Sequence, residues 1–200
     1  MSEAGGATAA QGPGARLVIL ASGSGTTLQA ILDDPELGAQ VVAAGTDVPN
    51  CQAMQRADTA GVPTFAVALR DHPDRTTWND ELAATIAKHE PDLVVLAGFM
   101  RILAPSVVTR FRIVNTHPAL LPAFPGGHAV RDALAAGVPT TGVTVHWVDE
   151  GVDTGPVIAQ TAVPVEAGDD EESLRIRIQA AEKPLYVATL RRLCQEIVTR

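Results

Sequence analysis

The sequence has little cysteine, few aromatic residues and no long apolar run. Its two cysteines, Cys51 and Cys194, are far apart and form no C-x-x-C motif. This spacing argues against a disulfide framework and against a structural zinc site. No apolar run approaches the roughly 20 residues that a membrane-spanning helix needs. The first 14 residues lack the basic and apolar regions of a signal peptide, so we expect a cytoplasmic protein with a disordered tail over residues 1–14.

Positive charge is also scarce. The 15 Lys and Arg residues face 23 Asp and Glu residues, which gives a formal net charge of -8. This balance disfavours a general affinity for nucleic acid, which requires cationic side chains against the phosphates. Hydrophobic residues make up 46% of the chain and charged residues 19%, a composition typical of globular proteins. We therefore expect residues 15–200 to form a single domain.

Short apolar runs rich in β-branched residues alternate with helical patterns over the first two thirds of the chain. Because strands separated by helices imply βαβ crossovers, this alternation predicts an α/β fold with an open, mostly parallel, Rossmann-like sheet and helices on both faces. The predicted strands are Leu17–Ala21, Gln40–Ala44, Thr64–Val67 and Leu93–Ala97, and the predicted helices are Thr27–Leu32, Asn50–Ala60 and residues 75–89.

The pattern changes after residue 111. A short predicted strand, Ile113–Asn115, runs into a stretch rich in proline and glycine. The segments Gly142–Val148 and Pro156–Val163 then alternate in the manner of an antiparallel pair. A helical pattern begins at Asp169, and Pro184 is expected to kink or break that helix. The sequence thus predicts a C-terminal antiparallel extension of the sheet.

A glycine-rich turn, Ser22-Gly23-Ser24-Gly25-Thr26-Thr27, follows the first predicted strand and precedes the first predicted helix. Glycines let the backbone approach a ligand closely, and a helix N-terminus presents unpaired N–H groups to an anion. The turn therefore indicates a phosphate-sized anion, with an ordinary tight turn as the alternative. It is not a dinucleotide fingerprint, because a third glycine, and an acidic residue at the end of a recognisable second strand, are missing.

Two further motifs carry groups suited to acyl transfer. Asn115 and His117 lie two apart at a predicted strand end, so their side chains project from the same face. An imidazole can take a proton from an attacking amine, and an amide can donate to an oxyanion. Asp153 precedes Gly155-Pro156 and is either a turn residue or a carboxylate that orients and charges His117. On this pattern alone a structural histidine is the alternative for His117, and His128 and His146 receive no role.

Five segments together carry a family resemblance. They are Ala21–Ile31, Leu93–Leu103, Val114–Leu134, Thr141–Gln160 and the acidic, then helical, end through Glu182. From Leu17 to about Leu193 the chain resembles the phosphoribosylglycinamide formyltransferases, the folate-dependent enzymes of purine synthesis. The resemblance implies the formyltransferase fold. It also implies transfer of a formyl group from 10-formyltetrahydrofolate to the amine of glycinamide ribonucleotide, with no metal.

The same resemblance implies roles for individual residues. Asn115, His117 and Asp153 match the catalytic residues. Gly23, Ser24, Gly25 and Thr26 match the turn that holds the ribonucleotide phosphate, and Glu182 matches the acidic residue at the ribose hydroxyls. Folate binding is implied for Met100, Arg101, Ile102 and Leu103, and for Val148, Asp149 and Glu150 in the loop that closes the pteridine pocket. The implied partners are these two small molecules, with neither nucleic acid nor membrane, and a homodimer stays open.

The chain departs from the family pattern at three places. Val130 stands where a second histidine is common, and Ala123 stands where a lysine or arginine is common. Both departures weaken a role for side-chain cations in phosphate binding. The end of the second predicted strand, GTDVPN, lacks the usual Ser-Asn pair, so no function is assigned there.

Several alternatives stay open. Another folate-dependent formyltransferase or a formyltetrahydrofolate hydrolase would share the same core, although an enzyme acting on methionyl-tRNA would be expected to carry a further C-terminal domain and a basic surface. A dinucleotide-dependent oxidoreductase would use the Gly23–Gly25 turn. The incomplete dinucleotide fingerprint of this turn argues against that alternative. A catalytically inactive ligand-binding domain is disfavoured by the intact Asn115, His117 and Asp153.

Overall fold

Seven strands form one sheet in the computed structural model, which describes residues 14–200. The predicted disordered tail lies outside the described residues except for Gly14. The strands are β1 Ala15–Leu20, β2 Ala39–Thr46, β3 Thr64–Ala66, β4 Leu93–Leu96, β5 Ile113–His117, β6 Thr140–Trp147 and β7 Val157–Pro164. Their order in the sheet is β3-β2-β1-β4-β5-β6-β7. Strands β1 to β5 pair in parallel, whereas β6 and β7 run antiparallel to their neighbours, so the predicted fold class is confirmed.

Within the described part of the chain, six α-helices connect or cover these strands. They are α1 Thr26–Leu32, α2 Gln52–Thr59, α3 Arg75–Ala87, α4 Pro105–Val108, α5 Ala129–Ala135 and α6 Glu171–Val198. No helix within residues 14–200 combines the length and the apolarity needed to cross a membrane. The order of the strands reverses between β1 and β4, so the topological switch point lies there. It does not lie at β5, where the sequence pattern changes.

The sheet is packed on both faces, as its apolar strands predict. Leu17 and Ile19 of β1 point into the core beneath α1, α2 and α6. Val18 and Leu20 point the other way, into the core beneath α3 and α4 that includes Trp78. Side chains alternate in this way along each strand, so the position of a residue in its strand sets the face on which it lies. The same holds at the C-terminal edge, where the candidate site lies.

The last helix, α6, passes through Pro184 unbroken, so the predicted break does not occur. A proline inside a helix removes one backbone hydrogen bond and crowds the preceding turn. Packing on both sides of the proline offsets this cost. Leu174 and Ile178 are buried before it, and Tyr186 and Leu190 are buried after it. The Tyr186 hydroxyl also lies 3.0 Å from carbonyl oxygens in both β4 and β5.

Replacing this exposed proline should stabilise the protein. We expect Pro184→Ala to raise the free energy of unfolding by about 1–2 kcal/mol, less than the full helix-propensity difference because proline also restricts the unfolded chain. Urea unfolding measures this change. The control is Gln179→Ala, an exposed change in the same helix that should shift stability by less than about 0.5 kcal/mol. An unchanged or lower stability of Pro184→Ala would show that the helix depends on the proline.

Candidate active site

The polar residues of β5 and β6 meet at the edge where the sheet turns antiparallel. Asn115 and His117 occupy the end of β5, and Asn115 pairs directly with His146 of β6. Residues opposite each other in an antiparallel pair project from the same face. The antiparallel register therefore brings a third polar side chain, His146, beside the predicted pair.

Asp153 reaches this cluster from the loop between β6 and β7. Its backbone adopts a positive φ of 56°. Its Oδ2 accepts the Gly126 N–H at 2.8 Å and lies 3.2 Å from His117 Nδ1. Its Oδ1 lies 3.6 Å from His146 Nε2. The carboxylate thus faces two histidines and a distant loop, so it does more than close its own turn.

Gly155 makes the loop that carries Asp153 sterically possible. A Cβ atom at this position would lie 1.8 Å from the carbonyl oxygen of Trp147, far inside contact distance. The close approach allows the Trp147 N–H to donate to the Pro156 carbonyl at 3.0 Å. The loop therefore leaves β6 and returns to β7 at a spacing that only glycine permits.

His117 is buried, and both of its ring nitrogens face acceptors. Nδ1 faces the Asp153 carboxylate, and Nε2 lies 2.7 Å from the carbonyl oxygen of Phe124. A neutral imidazole has one N–H and can donate to only one of these groups, whereas an imidazolium donates to both. Asp153 and Phe124 therefore hold the imidazole from its two ring nitrogens.

His146 is a site residue that the sequence analysis left without a role. Its Nδ1 lies 2.9 Å from the Trp147 carbonyl oxygen, and its Nε2 lies 3.4 Å from Asn115 Nδ2. Burial, the largest effect, lowers the pKa of His146 below its usual value, although the Trp147 carbonyl and the Asp153 charge oppose it. A neutral ring with its proton on Nδ1 satisfies this geometry. The alternation of β6 and its pairing with β5 are the signals that point to it.

The two glycines of the predicted phosphate turn serve different needs. Gly25 has a φ of 70°, and a Cβ there would lie 2.5 Å from Cα of Ala53. Gly23 is exposed, and a Cβ there would meet no atom within 4 Å. Its carbonyl is held by the Ala53 N–H at 3.0 Å. Gly25 is therefore required by the fold, whereas Gly23 leaves open space over the turn.

The end of the second strand differs from the prediction that no acidic residue follows it. An acidic residue, Asp47, does follow the second strand, because β2 ends at Thr46. Its carboxylate is buried and already bonded, since it accepts from the Ser22 hydroxyl and, at 2.6 Å, from Arg101 Nε. In a dinucleotide fingerprint the acidic group binds a ribose hydroxyl, and here it is not free to do so.

The segments predicted to bind folate lie mostly at the surface. Met100 is 76% exposed and Ile102 is 63% exposed, whereas the side chain of Leu103 is buried among the core residues beneath α3 and α4. Leu103 can therefore offer a ligand only its backbone. Arg101 donates from Nε to Asp47 Oδ2 at 2.6 Å, and its side chain is 38% exposed.

The loop after β6 contributes the remaining predicted folate residues. Val148 is half-buried, and its N–H donates to the Ile113 carbonyl at 2.9 Å. Asp149 and Glu150 are exposed. Asp149 Oδ1 accepts from the Thr154 hydroxyl at 2.7 Å, which stabilises the loop around Asp153. The same loop thus contains both the predicted folate residues and the carboxylate of the polar cluster.

Glu182 lies between the phosphate turn and β5. Its Oε1 accepts the Thr27 hydroxyl at 3.0 Å, one residue after the predicted turn. Burial raises the pKa of the Glu182 carboxyl, and hydrogen bonds from Thr27 and Thr116 partly oppose the rise. Thr116 alternates with Asn115 and His117, so Glu182 approaches β5 from the face opposite the polar cluster.

Several known proteins resemble this chain in sequence and in structure. A model of the formyl transferase family matches residues 15–190. The phosphoribosylglycinamide formyltransferase of Mycobacterium tuberculosis is 55% identical over 189 residues, covering 92% of this chain and 87% of the relative. The Escherichia coli enzyme of the same name is 40% identical over 175 residues, covering 85% and 82%. The crystal structure of glycinamide ribonucleotide transformylase 1 from Symbiobacterium toebii superposes with a TM-score of 0.90 at 43% identity, covering 93% and 90%.

Removing the Glu182 charge should stabilise the protein above acidic pH. Because its pKa is raised on folding, the charged carboxyl lowers stability as pH rises above the ordinary glutamate value of 4.5. We expect Glu182→Gln to raise the unfolding temperature at neutral pH, and the gain to vanish below about pH 4.5. Thermal unfolding across pH measures it. Glu172→Gln, which removes an exposed charge from the first turn of α6, should bring no gain. A gain that persists unchanged in acid would contradict the burial explanation.

Proposed function

The chain belongs to the formyl transferase family, and from this premise we propose that it transfers the formyl group of 10-formyltetrahydrofolate to the amine of glycinamide ribonucleotide in purine biosynthesis. Residues 15–200 act as one formyltransferase domain in the cytoplasm. The observation that carries the proposal is the cluster of Asn115, His117 and Asp153. It combines an amide donor, an imidazole and an orienting carboxylate, the groups that a tetrahedral formyl-transfer intermediate requires.

The amine nitrogen attacks the formyl carbon and forms the new C–N bond, while the carbonyl electron pair moves to oxygen. Asn115 Nδ2 and the His117 imidazolium stabilise the resulting oxyanion. His117 Nε2–H donates to Phe124 in the structure, so it must exchange that carbonyl for the formyl oxygen. Asp153 keeps His117 charged and helps the amine proton reach the departing folate nitrogen. The C–N bond to folate then breaks.

The nucleotide side of the site is the turn Gly23–Thr26 together with Glu182. The open space over Gly23 lets backbone N–H groups approach a phosphate, without a lysine or arginine side chain. Glu182 lies beside Thr27, the residue after this turn, and from there its carboxylate accepts hydrogen bonds from the ribose hydroxyls. This arrangement suits an acceptor that carries a ribose between its phosphate and its amine.

The folate side is the segment Met100–Leu103 together with the loop Val148–Glu150. The exposed Met100 and Ile102 side chains offer apolar surface to the pteridine ring. Leu103 offers only backbone polar groups, since its side chain is buried in the core. Holding donor and acceptor together removes much of the entropic barrier to their reaction, up to about 7–11 kcal/mol in ideal cases.

Substitutions in the polar cluster should abolish most of the activity. We expect Asn115→Ala and His117→Ala each to lower kcat by at least about 100-fold, the scale of a lost oxyanion donor or acid–base group. Steady-state kinetics on folded, purified variants measures this. The control is His72→Ala, a histidine outside the cluster, which should retain near-normal kcat. Near-normal turnover of either cluster variant would remove that residue from the mechanism.

A side chain over the glycine turn should affect one substrate only. Gly23→Val meets no protein atom within 4 Å of its Cβ, so it should fold normally while blocking the approach of a phosphate. We expect the KM for the ribonucleotide to rise by about tenfold or more, equivalent to at least 1.4 kcal/mol of binding. The KM for the folate should stay nearly constant, and Gly23→Ala should be intermediate. Equal changes in both KM values would contradict the assignment of the turn.

An acceptor test examines the proposed reaction itself. 10-Formyltetrahydrofolate is offered with glycinamide ribonucleotide, methionyl-tRNA, an amino-sugar nucleotide or water alone, and the formylated product is identified by mass. We expect efficient transfer only to glycinamide ribonucleotide. An acceptor that does not place its ribose hydroxyls at Glu182 leaves this buried carboxylate without its partner, which costs roughly 1–3 kcal/mol. Comparable transfer to methionyl-tRNA, or release of formate without an acceptor, would assign a different folate-dependent reaction.

A further inference from the structure

A buried carboxylate outside the Asp153 cluster bridges the two segments assigned to different substrates. The side chain of Asp47 is 1% exposed. Its Oδ1 accepts the hydroxyl of Ser22, the residue directly before the glycine turn. Its Oδ2 accepts Arg101 Nε at 2.6 Å, within the segment assigned to folate. One carboxylate thus binds the beginning of one segment and a side chain of the other.

Ser22 completes the bridge from the other side. Its Oγ accepts the Met100 N–H at 2.9 Å, and its own N–H donates to the Gly98 carbonyl at 3.0 Å. These bonds join the ends of β1 and β4, the two strands between which the strand order reverses. Open α/β sheets bind ligands at this position.

We propose that Asp47 is a positioning residue that holds the glycine turn and the Met100–Leu103 segment in one fixed relation. This inference rests on the proposed function, because it uses the division into a nucleotide side and a folate side. A displacement of about 1 Å between reacting groups can cost 100-fold in rate, so the relation of the two segments matters for turnover. Asp47 itself touches neither substrate.

The bridge is expected to act as a unit. A buried carboxylate that loses one partner keeps an uncompensated charge, so breaking one bond weakens the others. A residue that served one substrate would change one binding constant. A residue that fixes both segments changes both together, and this difference makes the inference testable.

Asp47→Asn tests it with little change of shape, since the amide oxygen still accepts from Ser22 while the amide nitrogen repels Arg101 Nε. We expect the KM values for ribonucleotide and folate to rise together and kcat/KM to fall by about tenfold to 100-fold, the scale of misplaced binding groups. The backbone amides of Ser22 and Met100 should exchange with solvent faster, as resolved by NMR. Ser22→Ala breaks the other arm of the bridge and should change the same quantities in the same direction.

Asp34→Asn is the matched control. Its carboxylate is 3% exposed and pairs with Arg191, which is 37% exposed, against 1% and 38% for Asp47 and Arg101. Asp34→Asn should lower the free energy of unfolding about as much as Asp47→Asn does. Both KM values and the amide exchange rates of Ser22 and Met100 should stay near those of the parent protein. A rise in only one KM, or unchanged exchange at Ser22 and Met100, would overturn the inference. The exchange rates test the bridge even if the acceptor test assigns a different reaction.

Discussion

The Asp153 carboxylate joins three parts of the chain that are distant in sequence. It accepts the Gly126 N–H, faces His117 at the end of β5 and approaches His146 on β6. Each contact comes from a different element, so the carboxylate can satisfy them only when the β6–β7 loop, the β5–α5 loop and the sheet edge are all in place. The orientation of the His117 ring depends on this one group.

The strand arrangement at this edge of the sheet places the partners of that carboxylate. The C-terminal ends of parallel strands all lie on one side of a sheet, so the glycine turn and the segment after β4 lie close together. The switch to antiparallel pairing at β5 then places His146 directly opposite Asn115, a contact that a further parallel strand would not make in the same register. The positive φ of Asp153 and the absent side chain of Gly155 allow the loop to return over this edge.

Much of this architecture follows from local patterns in the sequence. The apolar runs that begin at Leu17 and Leu93 were predicted as buried parallel strands from their composition. Both runs are buried on both faces of the sheet. Pro184 was predicted to kink or break its helix, and it does not break α6. The packing on either side of the proline that keeps the helix continuous is not visible in local sequence. His146 and Asp47 were missed for a related reason. Their roles depend on strand pairing and on partners 31 and 54 residues away, respectively, which no short motif encodes.

The central claim is that the Asp153 carboxylate positions the His117 ring through its Nδ1 in the folded protein. The direct measurement is the ¹⁵N and ¹H NMR spectrum of the two histidine rings at neutral pH, in the parent protein and in Asp153→Asn. We predict a proton on His117 Nδ1 in a hydrogen bond to Asp153 in the parent, a neutral His146 with its proton on Nδ1, and a shifted His117 Nδ1 signal in the folded variant. A His117 Nδ1 without a proton in the parent protein, or an unchanged His117 signal in the variant, would contradict the account.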